Sequence, residues 1–224
     1  MRGRADVWDT DYDLLFDGFP RSGSTFGHLM ILMSKEKPLR IRTHTHHPTV
    51  FVRAIQRNRP ACLCLRPPAD AIVSWAIYMN RSFESALQYY INFHAVLLPL
   101  AAQLLVLPFP TIIEDFPTVL ALLNLRFGMD VRMPSNPDMC KRVVFDEIDR
   151  LWRKEDPDSF EKKVARPNQK RDEGKLAAHQ ELQQERYRPL LQECTRLYQD
   201  FESHHQRDLE KLNRTRSPGS TFIP

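Results

Sequence analysis

Gly18 and Gly23 bracket four residues and are followed by Ser24 and Thr25. This is the outline of the phosphate-binding loop G-x-x-x-x-G-K-[ST], with serine in the place of lysine. The run before the loop, Asp13 to Phe19, has the apolar character of a buried strand, and a helical pattern begins at Thr25. A turn of that kind offers an anion unsatisfied amide N–H groups and the positive end of a helix dipole. Ser22, Ser24 and Thr25 add hydroxyl donors, and Arg21 adds a fixed positive charge. The same residues would also make an ordinary capped turn, and the loop alone divides evenly between the two readings. Lacking the lysine that reaches the outer phosphates, the loop is poorly equipped for magnesium-dependent γ-phosphoryl transfer.

A second group of anion-binding types follows the apolar run Ala61 to Leu65, in the stretch Arg66-Pro67-Pro68-Ala69-Asp70-Ala71-Ile72-Val73-Ser74. Pro68 suits the first helical position and Asp70 suits the first turn, so neither needs a ligand to explain it. Arg66, at a strand's carboxyl end, and Ser74, on the following helix, lie where open α/β sheets bind ligands. Arg66 could simply reach solvent, but two strand ends presenting anion-binding groups suggest a ligand with two separated phosphates. Between these motifs, Arg42-Thr43-His44-Thr45-His46-His47-Pro48 places three histidines within four residues. A neutral imidazole titrating near 6.5 is suited to accept a hydroxyl proton. In an extended strand His44 and His46 share a face, so either could be the base, and His47 could cap the next helix. His-x-His is also half of a metal site, but no nearby Asp, Glu or Cys completes it, and no metal is expected.

These residues need a scaffold, and the pattern supplies one. Four short apolar runs, Asp13–Phe19, Leu39–Thr43, Ala61–Leu65 and Leu104–Leu107, alternate with helical patterns. That alternation predicts an α/β fold with a short parallel sheet flanked by helices, a P-loop-like three-layer α/β/α arrangement. Helices are predicted over Thr25–Ser34, Thr49–Arg57, Ala69–Met79, Phe83–Gln103 with a bend near Pro99, and Pro117–Phe127 with Gly128 as C-cap. Beyond Gly128 the chain turns to charged amphipathic patterns, Cys140–Lys154 and Glu173–Leu212, with no strand evident and with Pro189 placed to kink or split the last helix. Residues 13–128 form the expected ligand-binding core, 129–213 a helical C-terminal part, and 214–224 a poorly ordered tail.

At 224 residues and 42% hydrophobic content the chain can bury one good core, and a single domain is expected. A net charge of +4, with acids and bases interleaved, does not point to nucleic acid. No run is apolar and long enough for a membrane span, and the polar N-terminus lacks a secretory signal, so the cytosol is the expected compartment. Cys62, Cys64, Cys140 and Cys194 lack metal-type spacing and read as reduced core thiols.

With both motifs at strand-to-helix junctions, the chain resembles the sulfotransferases that use 3′-phosphoadenosine 5′-phosphosulfate. Pro20-Arg21-Ser22-Gly23-Ser24-Thr25-Phe26 is similar to the family's P-K-S-G-T-T-W, and Arg66, Pro68, Asp70 and Ser74 match its R-x-P-x-D-x-x-x-S. The resemblance covers residues 13–128 well and the rest thinly. It implies that Arg21, Ser22, Gly23, Ser24, Thr25 and Phe26 bind the donor's 5′-phosphosulfate end, while Arg66 and Ser74 hold its 3′-phosphate. It also implies metal-independent transfer to a hydroxyl or amine of a small-molecule or glycan acceptor. Arg42-Thr43-His44 resembles the family's K-T-H segment, which implies His44 as general base, with Arg42 and Arg21 as cations beside the transferring group. The family's R-K-G-x-x-G closing segment has no match; the nearest basic stretch is Val164 to Arg171, and Arg171 is the candidate taken from it, although a solvated basic helix start would read the same. A small-molecule kinase and a non-catalytic adenosine-bisphosphate binder are the alternatives.

Overall fold

The computed structural model describes residues 11–34, 39–155 and 169–216, with side chains left out at 155, 169–174 and 216. Four strands, β1 (Leu14–Gly18), β2 (Ile41–Arg42), β3 (Ala61–Leu65) and β4 (Leu105–Pro108), form an all-parallel sheet in the order β2-β1-β3-β4. The register pairs Leu15 with Ala61 and Cys62 with Leu105.

The strands lack polar alternation because both faces are covered, and side chains two apart go to the same core. Leu15, Leu63, Leu65 and Val106 face one core. That core is completed by α2 (Pro48–Gln56), α3 (Pro68–Met79), α4 (Phe83–Leu97) and α9 (Arg188–Arg216). Leu14, Phe16, Cys62, Cys64, Leu105 and Leu107 face the other. There they meet α1 (Ser24–Met33), α5 (Phe109–Glu114), α6 (Phe116–Phe127) and α7 (Pro137–Glu155). All four cysteines are buried and free, and burial pushes the Cys62 and Cys64 thiols far above their ordinary range.

Several boundaries differ from expectation for identifiable reasons. β2 has two residues instead of five, because only Ile41 and Arg42 pair with β1. The bend near Pro99 is a change of helix type: α4 stops at Leu97 and a 3₁₀ segment runs over Leu98–Gln103. The long C-terminal pattern is interrupted before Pro189. α8 (Gln169–Leu182) ends, a short 3₁₀ turn covers Glu185–Tyr187, and Pro189 lies in the first turn of α9, where a missing N–H costs no hydrogen bond. α9 continues to Arg216, past the expected start of the tail, and residues 217–224 lie outside the described residues. Gly128 caps α6 and His47 caps α2, both as expected. No helix among the described residues is long and apolar enough to cross a membrane.

His94, on α4, is fully buried against Tyr90, with ring centroids 4.0 Å apart, and its Nδ1 lies 2.8 Å from the Tyr90 carbonyl. Burial pushes its pKa down to about 4, so the folded chain holds a neutral imidazole. A depressed histidine value contributes stability that is complete above the ordinary 6.5 and is lost as pH falls toward the folded value. Urea unfolding at pH 7 and pH 4.5 is expected to show a loss on the order of 2–3 kcal/mol from this group. His94→Phe is expected to flatten that decline; an unchanged slope in the variant would assign it elsewhere.

Candidate functional site

The loop leaving β1 turns sharply, and its backbone shows how. Arg21 and Gly23 both take positive φ, 70° and 88°. Glycine adopts that conformation without cost, but an arginine there is strained by about 1–3 kcal/mol and must be held by its surroundings. Gly23 is the N-cap of α1 and contributes no side-chain cap, so the hydroxyl-capped turn that the sequence allowed is not what forms. Ser22 Oγ is buried with no hydrogen-bond partner among the described residues.

Arg21 crosses to α3. Its Nε donates to Ser74 Oγ at 3.3 Å, and its guanidinium carbon lies 5.1 Å from the Tyr78 ring centroid and 6.0 Å from that of Trp152. Arg66, just past β3, donates from a terminal nitrogen to the Arg21 carbonyl at 2.8 Å and lies 4.4 Å from the Phe109 ring centroid. The Tyr90 hydroxyl holds the Arg66 carbonyl at 3.0 Å. Parallel pairing of β1 and β3 puts their carboxyl ends side by side, so two motifs far apart in sequence touch.

Both lie on the wall of one cavity of about 880 Å³, a size suited to a nucleotide-like ligand. Gly23, Ser24, Thr25 and Phe26 line it, as do Arg21, Arg66, Ser74, His44 and His46. Ser22 does not line the cavity, and neither does Arg42. Arg42, the last residue of β2, is buried, with its guanidinium carbon 5.7 Å from the Tyr12 ring centroid.

The histidines do not follow an extended strand either. His44 and His46 both have positive φ, 60° and 50°, yet both line the cavity. His44 is exposed, with Nε2 2.7 Å from Thr25 Oγ1. His46 is tied to the end of β1: Nδ1 lies 2.9 Å from the Gly18 carbonyl and 3.1 Å from an Asp17 carboxylate oxygen. The Tyr89 hydroxyl donates to the His46 carbonyl at 2.7 Å.

The sequence reading did not single out Asp17 or the aromatic lining. Asp17 is the one charged residue of β1 and is fully buried, a signal visible as an acid inside an apolar run. Trp75, Tyr78, Tyr89, Phe145 and Trp152 line the cavity from α3, α4 and α7. As single aromatics on amphipathic helices, they carry no local sign of a ligand. Arg171 lies on α8, but its side chain is outside the described residues, as are residues 164–168 of the basic stretch. Lys175, one turn further on, lines the cavity. Among the described residues no group of three or more His, Cys, Asp or Glu is placed to hold a metal.

Compared with known proteins, the chain matches no family model, no curated protein and no solved structure.

Proposed function

We propose that this chain is a sulfotransferase that moves a sulfuryl group from 3′-phosphoadenosine 5′-phosphosulfate to a hydroxyl or amine of a small-molecule or glycan acceptor. In this reading the loop from Gly18 to Thr25 is a P-loop-like cradle for the donor's 5′ end. The observation that carries it is the direct contact between the two motifs. Arg21 reaches Ser74, and Arg66 reaches the Arg21 carbonyl, on a cavity that also presents His44 and His46.

The loop amides, with the Ser24 and Thr25 hydroxyls, hold the 5′-phosphosulfate, and Arg66 with Ser74 holds the 3′-phosphate. The acceptor oxygen attacks sulfur in line, forming the new S–O bond as the bond from sulfur to the 5′-phosphate oxygen breaks. The electron pair stays on that phosphate oxygen, and the acceptor proton passes to His44 Nε2. Thr25 Oγ1 lies 2.7 Å from that nitrogen, so in this reading the base adjoins the loop that holds the donor. Arg21 and the loop amides stabilise the charge that grows on the leaving oxygen, and positioning supplies much of the remainder. The four buried free thiols suit a reducing compartment, and we assign the cytosol as the place of work.

Calorimetric titration with metal-free 3′,5′-adenosine bisphosphate and with ATP–magnesium tests the donor. The bisphosphate is expected to bind more tightly, and labelled sulfate from the full donor is expected to appear on a member of an acceptor panel. Tighter ATP–magnesium binding would overturn the reading in favour of a kinase. Tight bisphosphate binding with no transfer to any acceptor would leave a non-catalytic binder.

A further inference from the structure

Asp17 is a carboxylate with no solvent around it. Its Oδ2 accepts from the Thr45 amide at 2.7 Å, the Thr45 hydroxyl at 2.7 Å and the His46 amide at 3.0 Å, and its Oδ1 accepts from the Gly18 amide at 2.9 Å. Four donors converging on one group are what an ionised carboxylate requires. Among the described residues, the one cationic side chain within ion-pairing distance is His46, whose Nδ1 is 3.1 Å from Oδ1.

Nδ1 faces two acceptors, the Asp17 carboxylate and the Gly18 carbonyl, so it must carry a proton. The remaining nitrogen, Nε2, makes no hydrogen bond among the described residues, and the ring lines the cavity. Burial alone would lower the His46 pKa and raise that of Asp17. The attraction between them and their hydrogen bonds outweigh burial, holding His46 above its ordinary 6.5 and Asp17 well below the usual carboxylate range. Arg21 opposes this on His46. Around the same ring stand His44 on its own loop, 5.9 Å between centroids, and Tyr89 of α4 against its carbonyl. Arg66, Glu114 of α5 and Lys175 of α8 line the same cavity.

We propose that His46 is an anion ligand of this cavity: an imidazolium with buried Asp17 as its counterion, donating from Nε2 to the negative group seated on the loop Arg21–Thr25. The proposal rests on the donor site assigned above. It divides the two histidines, His46 carrying charge and His44 accepting the proton, each by its surroundings. It also supplies, beside Arg21, a further cation near the transferring group. Asp17 acts through His46 and is a positioning residue.

The consequence is proton-coupled binding. An anion stabilises the charged imidazole further, so binding takes up protons, and affinity falls as pH rises through the His46 value, above 6.5. Phosphate second ionisations are near 6, so titration between pH 7 and 9 isolates the protein. The full chain is titrated by calorimetry with 3′,5′-adenosine bisphosphate across that range, in pairs of buffers differing in ionisation enthalpy. Affinity is expected to fall about 10-fold or more, as for the loss of a charge-assisted hydrogen bond, with net proton uptake. In His46→Gln the uptake should vanish and affinity at pH 7 should drop to near the natural chain's pH 9 value. In Asp17→Asn the fall should move to lower pH. Histidine NMR of the unliganded natural chain provides a check that needs no Asp17 variant to fold: a resonance titrating above 6.5 is expected, and it should be missing from His46→Gln. Bisphosphate binding with uptake unchanged in His46→Gln, or a His46 resonance titrating below 6.5, would overturn the proposal. Absence of bisphosphate binding at every pH would overturn the donor site itself, and this inference with it.

Discussion

His44→Ala is expected to lower sulfuryl transfer by about 10²–10⁴-fold while 3′,5′-adenosine bisphosphate binds nearly as before, the range typical for loss of a positioned general base. The argument rests on how His44 is held. Its ring is exposed and lines the cavity, and its Nε2 lies 2.7 Å from the hydroxyl of Thr25, a residue of the loop proposed to cradle the donor. Under the proposed function such a group would meet both substrates without anchoring either, so its loss should fall on kcat more than on donor affinity. Single-turnover transfer with saturating donor checks this, and added imidazole should restore part of the rate. Full activity would move the base elsewhere. Loss of bisphosphate binding would recast His44 as a donor ligand acting through Thr25.

Arg66→Met is expected to weaken 3′,5′-adenosine bisphosphate by about 10–100-fold, the range for removing one charge-assisted hydrogen bond from a largely desolvated site. Methionine keeps an apolar stem against Phe109, so packing is changed little compared with alanine. The effect should depend on the ligand. Adenosine 5′-phosphate, which lacks the 3′-phosphate, should lose much less, and the difference between the two losses isolates the contact. Equal losses for both ligands would show that Arg66 acts by bracing the loop through the Arg21 carbonyl and does not read the 3′-phosphate.

The sheet was legible because a parallel strand covered on both faces has a distinctive composition. Ala61–Leu65 reads as continuous apolar sequence and forms with those bounds. Arg66 and Ser74 were legible for a related reason: the edge where a strand yields to a helix fixes where such residues must lie. The surroundings of the histidines were harder to see. Whether His44 and His46 share a face depends on backbone conformation, and both adopt a positive φ, which histidine takes more readily than most residues but which a strand-like sequence pattern does not assign to these two positions. Arg42 illustrates the same difficulty, since its neighbour Tyr12 comes from a distant segment and only the folded chain shows the ring beneath the guanidinium. Asp17 was visible as an anomaly, but its meaning required knowing that the loop after β2 folds back over the end of β1.

Phe145, Ile148, Leu151 and Trp152 of α7 and Lys175 of α8 also line the cavity. The proposed anion grip therefore belongs to the strand ends and the loops and helix that follow them, whereas much of the remaining wall belongs to the C-terminal helices. Such a division separates two evolutionary pressures. If the proposed donor site holds, substitutions at Phe145, Ile148 or Leu151 could be selected for a new acceptor with the loop and Arg66 left intact, whereas Trp152, which lies against the Arg21 guanidinium, is tied to both.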